Sequence, residues 1–178
     1  MDFAEFGKAI MNVATGGVGT YIALVVKDYF DRGGQARTAD IEEYKAVRLI
    51  LNDPVIAALQ ASDFFGGVDR SRFYDPLRTL FYKYEGGREL IFHDQRLNER
   101  FLDILKRADA LAMKAAELTI PVGTPPRMST RTDEDRRHNR VERLRQSQEE
   151  ARVLDGMADE LATTCNAFVD DGKRRLRI

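Results

Sequence analysis

Tryptophan is missing from this chain of 178 residues, cysteine occurs once and histidine twice. Each shortage removes a class of chemistry. The single thiol, Cys165, excludes an internal disulfide framework and fits a reducing compartment. It falls in register with Leu161 and Phe168, where a small core residue is expected rather than a nucleophile. His93 and His138 stand far apart without cysteines beside them, so no metal-ligand spacing is present. Without Trp, a platform for stacking bases would need grouped Phe and Tyr, and none is evident. An excess of either charge is missing too: 28 Lys and Arg against 29 Asp and Glu leave a net charge of −1 and no global attraction to nucleic acid. His93-Asp94 comes nearest to an acid–base pair, yet no nucleophile lies close to it in sequence, and Asp94 is placed to cap a helix. The chain reads as a non-enzyme with no metal and no cofactor.

What is present is glycine in an unusual place. Ala14 to Tyr21 reads ATGGVGTY, inside the most apolar part of the chain. A phosphate loop would follow its glycines with a Lys that reaches the β/γ oxygens. Here Gly16, Gly17 and Gly19 lead into Thr20 and Tyr21, and the next lysine, Lys27, comes about two helical turns later. The nucleotide-loop reading fails on chemistry.

The remainder is expected to be all-α, one domain's worth of chain. Gly33-Gly34, Gly66-Gly67 and Gly86-Gly87 each follow an amphipathic or aromatic segment and read as helix ends. Asp40 and Glu43 form a capping box at the head of a stripe through Ile41, Tyr44, Val47, Arg48, Ile50 and Leu51. Asn52-Asp53-Pro54 interrupts it, and Val55 to Ala61 continues as a short helix. Tyr74 to Tyr84 is the next, with Pro76 in its first turn and Leu77, Leu80, Phe81 and Tyr84 on one side. Leu97, Phe101, Ile104, Ala108, Leu111, Ala115 and Leu118 recur at alternating spacings of four and three, the mark of a long helix with a narrow apolar seam. Pro121, Gly123, Pro125 and Pro126 set a loop at 121–130, and beyond it Leu144, Ala151, Leu154, Ala158, Leu161, Cys165 and Phe168 trace a second long helix. Two such helices should pack as an antiparallel hairpin covered by the shorter ones. No alternating strand pattern stands out.

The N-terminal part, residues 1–30, differs from the body at 31–178. Ala9 to Val26 carries no charge and is bracketed by Lys8 and Lys27. As a helix its eighteen residues would cover about 27 Å, close to the roughly 30 Å hydrocarbon core. Phe6, Tyr29 and Phe30 suit the interfaces, so a short transmembrane helix is expected. At 100° per residue, Asn12, Thr15, Gly16, Gly19 and Ala23 fall within an arc of about 100°, while Ile10, Val18, Leu24 and Val25 lie outside it. In lipid, a small and polar stripe favours association between helices, most economically between copies of this chain, and a closed ring would line a pore with it. Lys27, Arg32, Arg37, Lys45 and Arg48 follow the stretch against Lys8 before it, which places the C-terminal body in the cytoplasm and the N-terminus outside the inner membrane. Two soluble arrangements compete: a buried bundle helix whose glycines permit a close crossing, or two strands around a Gly-Gly turn.

Arginines gather after the proline-rich loop. Arg136, Arg140 and Arg143 share one helical face and suit a phosphate-rich ligand such as a nucleotide or oligonucleotide, although Asp133, Glu134, Asp135 and Glu142 among them fit a solvated, salt-bridged face better. Lys173, Arg174, Arg175 and Arg177 form a basic tail consistent with anionic headgroups.

With its short N-terminal span, its Asn12-to-Ala23 stripe and its helical body, the layout resembles that of small single-span membrane effectors of bacterial anti-phage defence systems. That resemblance, of architecture alone, implies a self-associating, pore-forming protein whose cytoplasmic domain senses a nucleotide or nucleic-acid signal. The alternative is a non-enzymatic helical scaffold, soluble or tethered, that binds a protein partner.

Overall fold

The two heptad-like seams decide the architecture. The computed structural model describes residues 18–84, 90–138 and 141–178, with the side chains of 18–32, 73 and 136 outside that description. It is mostly helical, with α1 at Val18–Ile50, α2 at Asp53–Gln60, α3 at Arg70–Tyr84, α4 at Gln95–Leu118, a hairpin of β1 (Ile120–Val122) and β2 (Arg127–Ser129), α5 at Asp133–His138 and α6 at Val141–Leu176. Six of the seven seam positions of α4, from Leu97 to Ala115, are buried, as are Ala151, Leu154, Ala158, Leu161, Cys165 and Phe168 of α6. The two helices pack on each other more extensively than any other pair of elements. They run antiparallel: Asp94 meets Arg175, Arg100 meets Asp171 and Arg107 meets Glu160. This is the expected hairpin.

The short helices close the seam from the other side. Asn52 caps α2 by accepting the Val55 N–H at 3.0 Å, and Val55, Ile56 and Leu59 go into the core. Leu77 and Leu80 of α3 are buried as the spacing predicts. Phe92, Phe101 and Phe168 form an aromatic centre, with Tyr44 and Tyr84 against its edges.

Four expectations are corrected. Gly33-Gly34 does not end a helix: α1 runs through the pair, both residues are exposed, and neither takes a positive φ. Gly66-Gly67 does not end a helix either: α2 stops at Gln60 with Ala61 as its cap, and the pair lies in the loop before α3, where only Gly67 has the left-handed φ, 101°; Gly86-Gly87 lies outside the described residues. Asp40 and Glu43 are not a capping box, because α1 is already helical for many residues before them; Asp40 serves another helix instead. Pro76 is inside α3 rather than in its first turn, since Asp69 starts that helix earlier by accepting the Ser71 N–H at 2.9 Å and the Ser71 hydroxyl at 2.7 Å.

The 121–130 segment is not a plain loop. Ile120 pairs with Ser129 and Val122 with Arg127, an antiparallel hairpin around Gly123 (φ 76°). Its β2 strand is tied to the loop after α2, where Val68 and Met128 exchange N–H···O bonds of 2.9 Å. The Thr130 N–H donates to the Phe64 carbonyl at 3.0 Å, and the Thr130 hydroxyl to that of Ser147 at 2.8 Å. Strand pairing here satisfies backbone groups that a proline-rich connection would otherwise leave to water.

Candidate functional site

Of the stripe expected to line a pore or pack helices, Asn12, Thr15 and Gly16 lie outside the described residues, and Gly19 and Ala23 are described only as backbone of α1. Among the described residues no helix is long and apolar enough to cross a membrane; the Ala9 to Val26 stretch is only half within them. What is described is how that stretch joins the body. α1 has 33 residues, about 50 Å of helix, beginning at Val18 and ending at Ile50. From 33 to 39 it is largely exposed, and the body takes hold at Arg37, Asp40 and Tyr44.

The grip is specific. The Arg37 guanidinium donates to the Leu176 carbonyl at 2.8 Å, and the Tyr44 hydroxyl to the Val169 carbonyl at 3.1 Å. Residue numbers fall along α1 as they rise along α6, so the two are antiparallel and α6 ends beside the part of α1 that leaves the body. Gly172 makes the crossing close: a Cβ there would stand 2.0 Å from a ring carbon of Tyr44. A close-crossing glycine was expected in the N-terminal stretch; among the described residues it is Gly172 that has this role.

Asp40 connects α1 to the start of α4. It is buried, its Oδ1 accepts the His93 N–H at 2.7 Å and its Oδ2 the Asp94 N–H at 2.9 Å. Asp94 in turn caps α4 by accepting from the Arg96 and Leu97 N–H groups, as its position suggested. Asn98 reaches back to accept from Ile91 at 2.8 Å and Phe92 at 3.0 Å. Three side chains therefore hold the turn into α4. His93 sits with its Nδ1 3.5 Å from Asp40, its side chain half exposed.

At this end of the bundle one buried carboxylate gathers three guanidinium groups. Asp171 bonds Arg100 and Arg174, and Arg96 lies 3.4 Å away. Burial alone would raise its pKa, but the Arg100 hydrogen bond and the charges of Arg100, Arg96 and Arg174 hold it below the usual carboxylate range. Asp94 behaves alike: burial opposes ionisation, and Arg175, bonded to both its oxygens at 2.9 and 2.7 Å, outweighs it.

The expected phosphate-binding face lies largely outside the described residues: the Arg136 side chain and Arg140 are not among them, and Arg143 near the start of α6 is the described member. Arg143 is 3.7 Å from Asp135 and 3.9 Å from Glu150, which favours the salt-bridged reading for it. An open cleft of about 890 Å³ lies between the end of α2, the start of α3 and the hairpin. Four of its charged residues pair within it, Arg70 with Asp75 at 3.3 Å and Arg72 with Asp69 at 3.8 Å, and Asp63 and Arg127 also line it. No group of His, Cys, Asp and Glu among the described residues could hold a metal ion. Cys165 is a buried core residue whose thiol burial pushes up to about 12. No family model, curated protein or solved structure matches this chain.

Proposed function

We propose that this chain is a membrane-attached helical protein that associates with copies of itself, with 1–30 as the membrane segment and the helical body on the cytoplasmic side. The observation that supports it is the continuity of α1, which runs without a loop from the uncharged stretch into the bundle. A simple tether would tolerate a flexible linker; a continuous helix transmits the position of the body to the segment in the membrane. With Asn12, Thr15, Gly16, Gly19 and Ala23 on one face, copies meet through that face, and the specific form of the proposal is a pore whose state follows the body. Membrane effectors of defence systems share that layout, and conductance of the reconstituted chain is the property to measure once attachment is established.

The test is membrane fractionation of the expressed chain with an alkaline carbonate wash, followed by sizing of the detergent extract. Retention together with a mass several times that of the protomer supports the proposal. Asn12→Leu, Gly16→Leu and Gly19→Leu should then leave the chain in the membrane, since each makes the stretch more apolar, but abolish the large species and any conductance. Recovery in the soluble fraction sinks the membrane proposal and leaves a helical scaffold.

A further inference from the structure

We infer that the end of the bundle where α4 begins and α6 stops is a docking face for anionic lipid headgroups. This rests on the membrane reading above and gives the body its own contact with the bilayer. Three separate parts of the chain build the face: Arg37 from α1, Arg96 and Arg100 from α4, and Arg174, Arg175 and Arg177 from the end of α6. The basic tail was visible in the sequence; its union with Arg37, Arg96 and Arg100 is made by the fold.

The charge on this face is left over from structural pairing. Asp171 alone is shared by Arg96, Arg100 and Arg174, Asp94 is occupied by Arg175, and Arg37 bonds only a neutral carbonyl among the described contacts. Of the other carboxylates at this end, Asp40 is turned inward to backbone N–H groups, while Glu99, bonded to the neutral Gln95, and Asp170, exposed on α6, keep their charge and reduce the basic excess without cancelling it. Asp171 is buried while the side chains of Arg96 and Arg174 remain more than half exposed, so the acid is hidden and the bases are presented.

Position selects the partner. α6 ends beside Arg37, and α1 leaves the body in the same direction towards the uncharged stretch. Seven residues, about 10 Å of helix, separate Arg37 from Phe30, which an interfacial aromatic belt would hold at headgroup level. That is about one Debye length at physiological ionic strength, and Arg side chains extend into it. An anionic leaflet is the extended phosphate surface such a face would meet.

The experiment separates this face from the span. Leu24→Gln, Val25→Gln and Val26→Gln in the full chain make the stretch too polar to insert without altering charge. This chain should float with vesicles of phosphatidylcholine mixed with phosphatidylglycerol, not with phosphatidylcholine alone, and high salt should release it. Adding Arg37→Gln, Arg174→Gln and Arg177→Gln should lower that partition about 100-fold, at roughly fivefold for each basic residue. Adding Arg78→Gln, Arg145→Gln and Arg152→Gln instead, the same change of net charge elsewhere, should leave it within a few-fold. Circular dichroism and thermal melting establish that each chain is folded. Equal loss in the two sets, no preference for the anionic vesicles, or displacement by millimolar inorganic phosphate would overturn the inference, the last in favour of a small-anion site. Whether the unsubstituted chain resists carbonate on phosphatidylcholine vesicles reports the span independently.

Discussion

Replacing Gly172 by alanine tests the crossing of α1 and α6, on which the connection of the N-terminal stretch to the body depends. The new Cβ would lie 2.0 Å from Tyr44 Cε2 and 2.7 Å from two neighbouring ring carbons. Carbon atoms in contact prefer about 3.5 to 4.0 Å, so ring or helix must retreat by more than about 1.5 Å. Tyr44 cannot swing aside freely: it is 4% exposed, its hydroxyl is bonded to the Val169 carbonyl and its ring packs on Phe168 with centroids 5.5 Å apart. Overpacking of this kind costs about 1 to 3 kcal/mol, and loss of the tyrosine hydrogen bond adds about 1. Alanine is the better helix former by about 1 kcal/mol, which offsets part of this. The expected net loss is about 2 kcal/mol, or a fall in Tm of roughly 4 to 8 °C for a chain of this size. Gly156 lies in the same helix, exposed, with nothing within 4 Å of an added Cβ, so Gly156→Ala should stabilise by about 0.5 to 1 kcal/mol. Urea titrations of the purified full chain, followed by ellipticity at 222 nm, measure both. If Gly172→Ala is as stabilising as Gly156→Ala, the helices do not cross as closely as described and the argument is wrong.

Asp40→Ala should cost about 3 kcal/mol, because two N–H groups at the entrance to α4 lose a charged acceptor, and amide exchange should rise first in that turn; exchange confined to α1 would contradict the assignment. Asp171 and Asp94, both held below the ordinary carboxylate pKa, contribute stability that is present above the unfolded value of about 3.9 and lost as pH falls through the folded values. Asp171→Asn should therefore lower the urea midpoint at pH 7 and flatten its decline below pH 4, and parallel curves for the two proteins would count against the cluster. Cys165, with its thiol at about 12 and buried, should resist thiol reagents at pH 8 in the native chain and react on unfolding; rapid native labelling would show that the seam opens.

The parts of the fold that follow from local chemistry were readable in the sequence. The alternating spacing from Leu97 to Leu118 and from Leu144 to Phe168 set two long helices, their buried faces and their antiparallel pairing, and all of those positions are buried except Leu118 and Leu144, which are partly exposed. Asp94 was readable as a cap because a cap acts on backbone a few residues away, whereas Asn52 was read only as part of the interruption before α2, which it caps. Helix ends marked by glycine were less secure. Glycine permits a left-handed turn without requiring one: Gly33 and Gly34 stay helical, and Gly67 takes it in the loop several residues past the end of α2.

The charged end of the bundle was legible only in its tail. Lys173 to Arg177 are neighbours in sequence, whereas Arg37 and Arg96 join Arg174 and Arg175 through the packing of three helices. The hairpin at 120–129 was hidden for a similar reason: its strands have three residues each, too few to show a period, and Val68 from a distant loop completes them. What the sequence determined by itself is the helical body, its two seams and an uncharged N-terminal stretch with a small, polar stripe, because hydrophobic periodicity acts within each segment. What only the tertiary structure decided is that Asp40 holds the start of another helix, that Gly172 admits the Tyr44 ring, and that arginines from three helices share Asp171 and its surroundings. Those contacts join residues many positions apart, and no local pattern specifies the register at which two helices cross.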